Sequence, residues 1–505
     1  MKTPWNDAYG HALPALSTPI PGPKSQAAVD VLARHESPGI TARRARQGEA
    51  RGVGKDPIVW DRAAGANVWD LDGNCFIDLT AGFGVALVGH AHPDVVAAVH
   101  AQSSRLLHGM GDVFPNAPRI DLMARLAALA PGDLSQCILT GGGAEAVEAA
   151  LKTAALASGR PGVLAFWDSY HGLSYGALAA TAYKSDFREP FRGQLGPHVT
   201  HLPYGVDLAL LDALFAGPAT GGAAIGAILV EPLQGRGGQV VPPPGWLAGL
   251  RALATRHRVV LIFDEIYSGL GRTGAPWAGD HDGVVPDVLC VGKALAGGMP
   301  IGAALARPDI MAAWGQSAGE AIHTATFLGH PVVAAAALAT LDVMAALDVP
   351  ALARAFEAAT RARFGPRVRG RGAMLGLALP SPGAAARVMG HALRHGVITL
   401  PSGVRGDILG LSPPLALSDA QRLQVAGNLA ANPQVAFGPG GLGSIRAAYQ
   451  FKGAARIEGG DLVVEVNEIY CTKPGPEAGL RLDTLPDEAV VKFEETRWRD
   501  NGPPR

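Results

Sequence analysis

The chain has 505 residues, 48% of them hydrophobic, and a formal net charge of -1. Single hydrophobic cores stop growing near ~250 to 300 residues, so a chain of this length should form more than one domain. A net charge near zero provides no basic surface to attract nucleic acid or an anionic membrane, which leaves small-molecule chemistry as the expected class of function.

The expected location is the cytoplasm. The first residues lack the apolar core of a secretory signal. The uncharged stretch 213–230 contains Pro218 and several glycines, which excludes a membrane-spanning helix there. Four scattered cysteines without a CxxC pair are typical of a reducing compartment, so no structural disulfide is expected.

In chain order, residues 1–34 come first and carry Pro14, Pro19, Pro21 and Pro23. Prolines at this density break helices and predict an N-terminal arm that packs on a larger body or frays. From about residue 106, helical stretches alternate with five short apolar strand candidates, at 137–140, 162–167, 227–230, 259–263 and 288–291. This alternation predicts an α/β fold with a mainly parallel sheet covered by helices on both faces.

The last third of the chain has a different character. Residues 332–347 are rich in alanine, with apolar residues at helical spacing, and predict a long helix that connects to a second domain. After residue 436 the segments 462–466 and 489–494 are β-prone. We therefore expect a small β-rich C-terminal extension over 436–505, with a capping role on the body or at a dimer contact as the simplest interpretation.

Two residues at predicted strand ends indicate chemistry. Lys293 is the one charged residue in the run 288–300, and Asp264 directly follows the buried strand 259–263. Ligands bind at the carboxyl ends of strands in parallel sheets, and apolar surroundings lower the pKa of a lysine by disfavouring its ammonium form. A buried amine and a buried carboxylate are the two groups needed to hold pyridoxal 5'-phosphate, through a Schiff base and the pyridinium nitrogen.

Several further segments occur in the order typical of one enzyme family. Together with Lys293, residues 35–435 resemble the class III pyridoxal-phosphate aminotransferases, the ornithine and 4-aminobutyrate aminotransferase group. The matching segments are GANVWDLDGN (65–74), GHAHP (89–93), GGGAEAVE (141–148), YHG (170–172), EPLQG (231–235), DEIYSGLGRTG (264–274), HTATF (323–327) and PPL (413–415).

The resemblance implies a fold-type I enzyme and a homodimer with shared active sites. Residues 106–330 would form the large cofactor-binding domain. Residues 331–435 would form a smaller α+β domain, joined by 35–105, because both chain ends build the small domain in this family. The implied activity moves an amino group between an amine or amino acid and a keto acid. Lys293 would form the internal aldimine and transfer a proton between substrate and cofactor carbons.

The resemblance also implies how the cofactor is held. Asp264 would face the ring nitrogen, the Tyr170 ring would stack on the cofactor, and the Tyr267 hydroxyl would lie near the phenolic oxygen. The alternatives are a structural carboxylate for Asp264 and core packing for Tyr170.

Backbone amides of Gly143 and Ala144, at a predicted helix start, would bind the phosphate, with a tight turn as the alternative. Thr326 would reach the phosphate of the partner subunit across the dimer interface.

The chain departs from the family where substrate carboxylates are bound. Relatives use two arginines, at positions that hold Leu173 and Gly410 here, and a glutamate that neutralises the second arginine, where this chain has Arg236. A relocated carboxylate site at Arg236 is therefore predicted, with Arg405 as a second candidate, and 2-oxoglutarate is disfavoured as acceptor. Phe83 is the third residue predicted to bind substrate.

Two other functions fit the same residues. A racemase, epimerase or aminomutase would use Lys293 and Asp264 without releasing a keto acid. A non-enzymatic cofactor-binding protein would use the C-terminal extension as its working part. His90 and His92 are spaced as a pair, but they predict a structural role, and no metal is expected. Phosphate-loop and dinucleotide-binding signatures are absent from the sequence.

Overall fold

A computed structural model describes residues 10–40, 57–217, 224–316, 319–430, 449–458 and 461–471. The chain divides into two compact units, residues 1–436 and 437–505. The first unit contains three sheets and their covering helices, and the second contains a two-stranded hairpin.

The largest sheet of the first unit has seven strands. In chain order these are β4 (Gln136–Thr140), β5 (Gly162–Phe166), β6 (Val199–Leu202), β7 (Ile225–Val230), β8 (Val260–Asp264), β9 (Val288–Val291) and β10 (Gly302–Ala306). Their order across the sheet is β4-β10-β9-β8-β7-β5-β6, and β10 alone runs antiparallel to its neighbours. The mainly parallel sheet predicted from the sequence is confirmed, with strand bounds that differ by one or two residues.

Both faces of this sheet are buried. Along β8, Leu261 and Phe263 belong to one hydrophobic cluster, whereas Val260 and Ile262 belong to another. Since successive side chains of a strand point to opposite faces, helices must cover both sides. The helix Gly143–Ser158 covers one of them through small side chains such as Ala146 and Ala150, which allow close approach to the strands.

The helices of the first unit are Pro23–His35, Ala81–Gly84, Pro93–Arg105, Ala117–Leu129, Gly143–Ser158, Tyr175–Ala180, Ser185–Arg188, Leu208–Ala216, Trp246–His257, Pro308–Met311, Pro331–Leu347, Val349–Phe364, Ala384–Arg394 and Asp419–Ala430. Short 3-10 helices occupy Glu189–Gln194, Ala278–Asp282, Lys293–Ala296, Ala312–Trp314 and Gly365–Arg367.

The first unit also has two four-stranded sheets, one of which joins early and late parts of the chain. One contains β1 (Trp60–Ala64), β2 (Asn67–Asp70), β3 (Cys75–Asp78) and β13 (Val397–Ile398), with β3 and β13 parallel. The other contains β11 (Val368–Arg371), β12 (Met374–Ala378), β14 (Leu400–Ser402) and β15 (Ile408–Leu411), in the order β11-β12-β15-β14. Ile77 and Leu79 share a buried cluster with residues of 364–429, so both parts of the chain contribute to one core.

The N-terminal segment differs from the prediction. The helix Pro23–His35 forms directly after the prolines that were expected to prevent helix formation. Pro23 is compatible with it because the first residues of a helix need no backbone N–H donor. The Asp72 carboxylate accepts hydrogen bonds from the backbone N–H groups of Lys24 and Ser25, at 2.8 and 3.0 Å, and so anchors the helix start.

The second unit contains an antiparallel hairpin of β16 (Tyr449–Glu458) and β17 (Asp461–Cys471). Its second strand includes the β-prone segment 462–466, whereas the segment 489–494 lies outside the described residues.

Among the helices that the structure describes, none is by itself long and apolar enough to cross a membrane. One pair, Pro331–Leu347 and the helical stretch that begins at Val349, meets the length and composition requirement together, across a bend of 59°.

Candidate active site

Two adjoining cavities lie at the carboxyl ends of the parallel strands. The Asp264 cavity has a volume of about 320 Å³ and the Gln239 cavity has a volume of about 620 Å³. Each name is that of a residue that lines this cavity and not the other. Four side chains line both cavities and therefore form their common border. They are Tyr170, Arg236, Tyr267 and Lys293.

Lys293 follows β9 and begins a 3-10 helix, with a left-handed φ of 36° that is rare for a residue with a side chain. Backbone conformations of this kind cluster at functional sites. Burial lowers the pKa of its ammonium group, and the nearby Arg236 and Arg272 act in the same direction, whereas Asp264 and Glu231 oppose them. The lysine that the sequence singled out therefore lies in surroundings that favour a neutral amine.

Asp264 ends β8 and is buried at the base of its cavity. Its Oδ2 atom lies 2.8 Å from Nδ1 of His171, and its Oδ1 atom accepts a hydrogen bond from the Ile266 backbone N–H at 3.1 Å. The Nε2 atom of His171 is buried and has no hydrogen-bond partner among the described residues. The carboxylate is thus fixed in orientation by the histidine beside it.

Gly143 and Ala144 line the Asp264 cavity at the start of the helix Gly143–Ser158. The first N–H groups of a helix have no intrahelical acceptor and favour anions. The chain approaches this helix start closely, since a Cβ atom at Gly172 would lie 2.6 Å from Cβ of Ala144. A larger residue at either position would fill the space beside these N–H groups.

Tyr267 lines both cavities next to Lys293. The lysine Nζ atom lies 4.5 Å from the centre of its ring, and its hydroxyl is 2.6 Å from Oγ of Ser412. Cβ atoms at Gly84 and Gly235 would lie 2.5 and 2.4 Å from ring carbons, so the ring fits only between residues that lack side chains. The Tyr267 hydroxyl, which was predicted to lie near the phenolic oxygen of the cofactor, is hydrogen-bonded to Ser412 in this structure.

Arg236 lies on the border of the two cavities against three aromatic rings. Its guanidinium carbon is 4.4 Å from the ring centre of Tyr170, 5.1 Å from that of Tyr183 and 5.9 Å from that of Phe187. Within the part of the chain that the structure describes, its side chain has no ion pair and no hydrogen bond. Stacking on aromatic faces leaves the edge N–H groups of a guanidinium available for a carboxylate.

The other predicted substrate residues are placed differently. Phe83 lines the Gln239 cavity, with a left-handed φ of 66° in the turn Ala81–Gly84. Arg405 is an ion-pair partner of Asp407, its side chain is 73% exposed, and it is not among the residues that line either cavity. Thr326 is exposed and likewise lines neither cavity of its own chain.

His90 and His92 have structural contacts. The Nε2 atom of His90 lies 2.9 Å from the Asp78 carboxylate, a partner that the sequence did not reveal. His92 Nδ1 accepts a hydrogen bond from the Asp94 backbone N–H at a helix start. No group of three or more possible metal ligands was found in the described ranges.

Sequence reasoning missed several residues that shape the site. Buried Arg272 donates to the carbonyls of Gly84 and Pro413, at 3.0 and 2.7 Å, and so joins segments that border the cavities. Burial lowers the pKa of Arg272 to about 10. Buried Glu231 accepts hydrogen bonds from the backbone N–H groups of Tyr170 and Gly235, both at 2.9 Å. The signal for both was their position within the motifs DEIYSGLGRTG and EPLQG.

The Asp264 cavity fits pyridoxal 5'-phosphate by the chemistry of its groups. A primary amine, a buried carboxylate with its histidine and a helix start with available N–H groups correspond to the aldehyde, the pyridine nitrogen and the phosphate. The unpaired Nε2 atom of His171 adds a buried polar atom that lacks a protein partner here.

Comparison with known proteins identifies the family. The aminotransferase class-III family matches residues 49–431. An acetylornithine aminotransferase of Methanopyrus kandleri is 37% identical over 380 residues, which cover 74% of this chain and 94% of the relative. One of Corynebacterium efficiens is 39% identical over 376 residues, with 72% and 90% covered.

Solved structures agree with the sequence comparison. A pyridoxal-phosphate-bound amine transaminase from an uncultivated Pseudomonas species has a TM-score of 0.68 at 30% identity and covers 74% of this chain and 94% of its own. The ornithine aminotransferase of Toxoplasma gondii has a TM-score of 0.67 at 29% identity, with 80% and 96% covered. This chain belongs to the class-III aminotransferases and is a pyridoxal-phosphate-dependent transaminase of fold type I.

Proposed function

We propose that Lys293 and Asp264 carry the aminotransferase reaction, with Lys293 Nζ as the covalent attachment point of the cofactor. The supporting observation is that both groups line one cavity, where burial favours the neutral form of the lysine. Bound pyridoxal 5'-phosphate supplies an electron-accepting ring that stabilises negative charge on the substrate carbon.

Lys293 also moves the proton. Once the substrate amine has displaced it, its neutral amine accepts a proton from the substrate carbon and returns it at the neighbouring position. The Tyr267 ring, 4.5 Å from Nζ, stabilises the ammonium state by a cation–π interaction. The hydrogen bond between the Tyr267 hydroxyl and Ser412 Oγ fixes the ring beside the amine.

The Asp264 carboxylate would pair with the ring nitrogen of the cofactor. His171, which is bonded to Oδ2 and fully buried, fixes the direction of that carboxylate. Tyr170 packs on the cofactor ring, and the N–H groups at Gly143 and Ala144 bind the phosphate. These roles extend to this chain what the resemblance implies for the matching positions.

A homodimer completes the site in this proposal. Thr326 lines neither the Asp264 cavity nor the Gln239 cavity of its own chain. It lies on a surface with Phe327, which is 65% exposed, and Ile322, which is 73% exposed. His108 contacts the Phe327 ring at 5.3 Å, and Met110 and Phe114 beside it are also exposed. An apolar surface of this kind is typical of subunit interfaces, which supports the proposal that Thr326 binds the partner's phosphate.

Arg236 is the proposed carboxylate-binding residue. It lies beside Lys293 on the border of both cavities, and its aromatic contacts fix its position without neutralising its charge. Arg405 is excluded from this role in the proposal because it is exposed and paired with Asp407.

A cytoplasmic location is proposed on the cysteine usage of the sequence.

The test is a panel of amino donors against pyruvate and 2-oxoglutarate. The donors include simple amines, and also N-acetylornithine and ornithine, because similar proteins are named acetylornithine and ornithine aminotransferases. We expect release of a keto acid or aldehyde that depends on an acceptor. Racemisation or amino-group migration without an acceptor would contradict a transaminase and support the alternative chemistry.

The attachment point is tested separately. Borohydride reduction of the yellow holoenzyme followed by peptide mapping should place the cofactor on Lys293. A label on any other lysine would remove Lys293 from its proposed role.

A further inference from the structure

The Gln239 cavity has an unusual charge pattern for a site that must bind acids. Arg236 and Lys293 are the only basic residues that line it within the described chain, and no acidic residue does so. Under the proposed function Lys293 is occupied by the cofactor. A single cation, Arg236, is then left for the substrate.

Gln239 adds a second polar group, whose carboxamide oxygen has no hydrogen-bond partner among the described residues. The residue is 2% exposed, and its Oε1 atom is buried without a hydrogen bond in the described structure. Its backbone has a left-handed φ of 51°, which turns the side chain into the cavity lining three residues after Arg236. Buried carboxamides normally have hydrogen-bond partners. The donor end of this one, Nε2, is the end that can bind a carboxylate.

The carboxamide occupies the place that Gly410 leaves free. Gly376 and Gly410 are paired across β12 and β15. A Cβ atom at Gly376 would lie 2.6 Å from Oε1 of Gln239, and one at Gly410 would lie 3.4 Å from its Nε2. The side chain therefore lies over two glycines, with its Nε2 donor on the side of Gly410, which lines the cavity.

The rest of the described lining offers hydroxyl groups, at Thr80, Ser402 and Ser412, but no further cation for a second carboxylate. It includes the apolar side chains of Leu79, Phe83, Leu400 and Pro401. A second carboxylate placed among them would lose its water without gaining a cation, which is costly. An apolar group of the substrate is accommodated there instead.

We propose that the amino acceptor is a monocarboxylic 2-oxo acid with a short apolar side chain, and that Arg236 and Gln239 together bind its carboxylate. The inference rests on the proposed function. In this half-reaction the oxo acid takes up the amino group and two electrons at its carbonyl carbon and becomes an amino acid. The pyridoxamine form of the cofactor is oxidised to the aldehyde, which receives the oxygen through water.

The experiment isolates that half-reaction. Apoenzyme is loaded with pyridoxamine 5'-phosphate and mixed with pyruvate, 2-oxobutyrate or 2-oxoglutarate, and the return of visible absorbance gives the rate and the apparent Kd. We expect the rate divided by Kd to be at least about 10-fold higher for the two monocarboxylates. Equal values for 2-oxoglutarate overturn the inference. No absorbance with any oxo acid would instead overturn the proposed function.

Two variants test the residues. Gln239→Glu keeps the shape of the side chain and adds a negative charge, so the Kd of pyruvate should rise by about 10-fold or more. Gly410→Arg adds a guanidinium to the cavity, and its Cβ would lie 3.3 Å from the Leu400 carbonyl oxygen. The preference for pyruvate over 2-oxoglutarate should shift towards 2-oxoglutarate by about 10-fold, because the new cation can bind the second carboxylate.

A readout independent of turnover uses enzyme whose cofactor has been fixed by borohydride. Calorimetry of pyruvate binding to this form should show the same loss in Gln239→Glu, with cofactor content unchanged. An unchanged pyruvate Kd in that variant would remove Gln239 from the site, whether or not Gly410→Arg folds.

Discussion

The two cavities differ in where their residues come from. Those of the Asp264 cavity come largely from strand ends and a helix start of the seven-stranded sheet, and nearly all fall within the motifs that resemble the family. The Gln239 cavity also uses the turn at Phe83 and two neighbouring strands of a four-stranded sheet, β14 at Leu400–Ser402 and β15 at Gly410. Chemistry is thus held by the rigid scaffold, while recognition is built on turns and on a second sheet.

The same contrast appears in the charges. Amine, carboxylate and helix start are all present in the Asp264 cavity, as the resemblance implies. In the Gln239 cavity the chain has Arg236 and Gly410, where the resemblance implies a glutamate and an arginine. Changes in the first cavity should therefore abolish the reaction, whereas changes in the second should alter which substrates are used.

The largest effect is expected for Lys293→Ala. Loss of the amine removes both the attachment point and the group that moves the proton, so kcat should fall by on the order of 10³-fold or more. Single-turnover absorbance changes measure it. Lys24→Ala, which changes an exposed lysine on the helix Pro23–His35, is the matched control. Substantial turnover in Lys293→Ala would break the division between a chemical and a recognition cavity.

Arg236→Ala should have the next largest effect, and only on some substrates. Loss of a charged hydrogen bond, worth about 1.5 to 3 kcal/mol, should lower kcat/KM for carboxylate-bearing substrates by roughly 10- to 150-fold. Simple amines without a carboxylate should be much less affected in their own half-reaction.

A control for Arg236 comes from the exchange itself. The double variant Arg236→Glu with Gly410→Arg restores the two charges that the resemblance implies for these positions, so use of 2-oxoglutarate should increase relative to pyruvate. Equal losses for amines and acids in Arg236→Ala would indicate a role in holding the fold or the cofactor.

The fold was predictable where hydrophobic runs are long and branched. Residues 259–263 and 288–291 are rich in valine, isoleucine and leucine, and both form strands within a residue of the expected bounds. β10 was missed because its sequence, Gly-Ala-Ala-Leu-Ala, lacks β-branched residues and is typical of a helix. Its strand conformation comes from pairing with β4 and β9, which no local pattern reveals.

The site was predictable only in part, for a similar reason. Lys293 and Asp264 were visible as charged groups beside apolar strands. Gln239 and Ser412 were not, because an ordinary polar residue in a loop carries no signal until the fold brings it to a cavity. The orientation of Tyr267 depends on Gly84 and Gly235, which lie far from it in sequence.

A smaller, pH-dependent effect is expected at Glu265, the neighbour of Asp264. Burial raises the pKa of Glu265 to about 7, although backbone N–H groups of Ala278 and Gly279 donate to its carboxylate. The folded state therefore holds this proton to higher pH than the unfolded chain, whose pKa is near 4.5. Stability is greatest at low pH in this window and falls as pH rises from about 4.5 to 7, by about 3 kcal/mol for this group.

The variant Glu265→Gln stays neutral at every pH and should lose this dependence. The thermal midpoint of the apoenzyme should fall by a few degrees between pH 5 and 8 in the original chain, and less in the variant. The same slope in both would show that other groups dominate, and a large loss of kcat in the variant would place Glu265 among the chemical residues.

Thr326→Ala should have the smallest effect. It tests whether Thr326 binds the phosphate of the cofactor that is held by the partner subunit. A lost hydrogen bond to a phosphate, at about 1.5 kcal/mol, should weaken cofactor retention by about 10-fold, as measured by equilibrium dialysis. Mixed dimers with Lys293→Ala subunits decide the location. If Thr326 serves the partner, each mixed dimer has one site with both defects and one site with neither, so half of its sites should bind cofactor as tightly as the original enzyme. If Thr326 serves its own chain, every site in the mixed dimer carries one defect and no such tight class should appear.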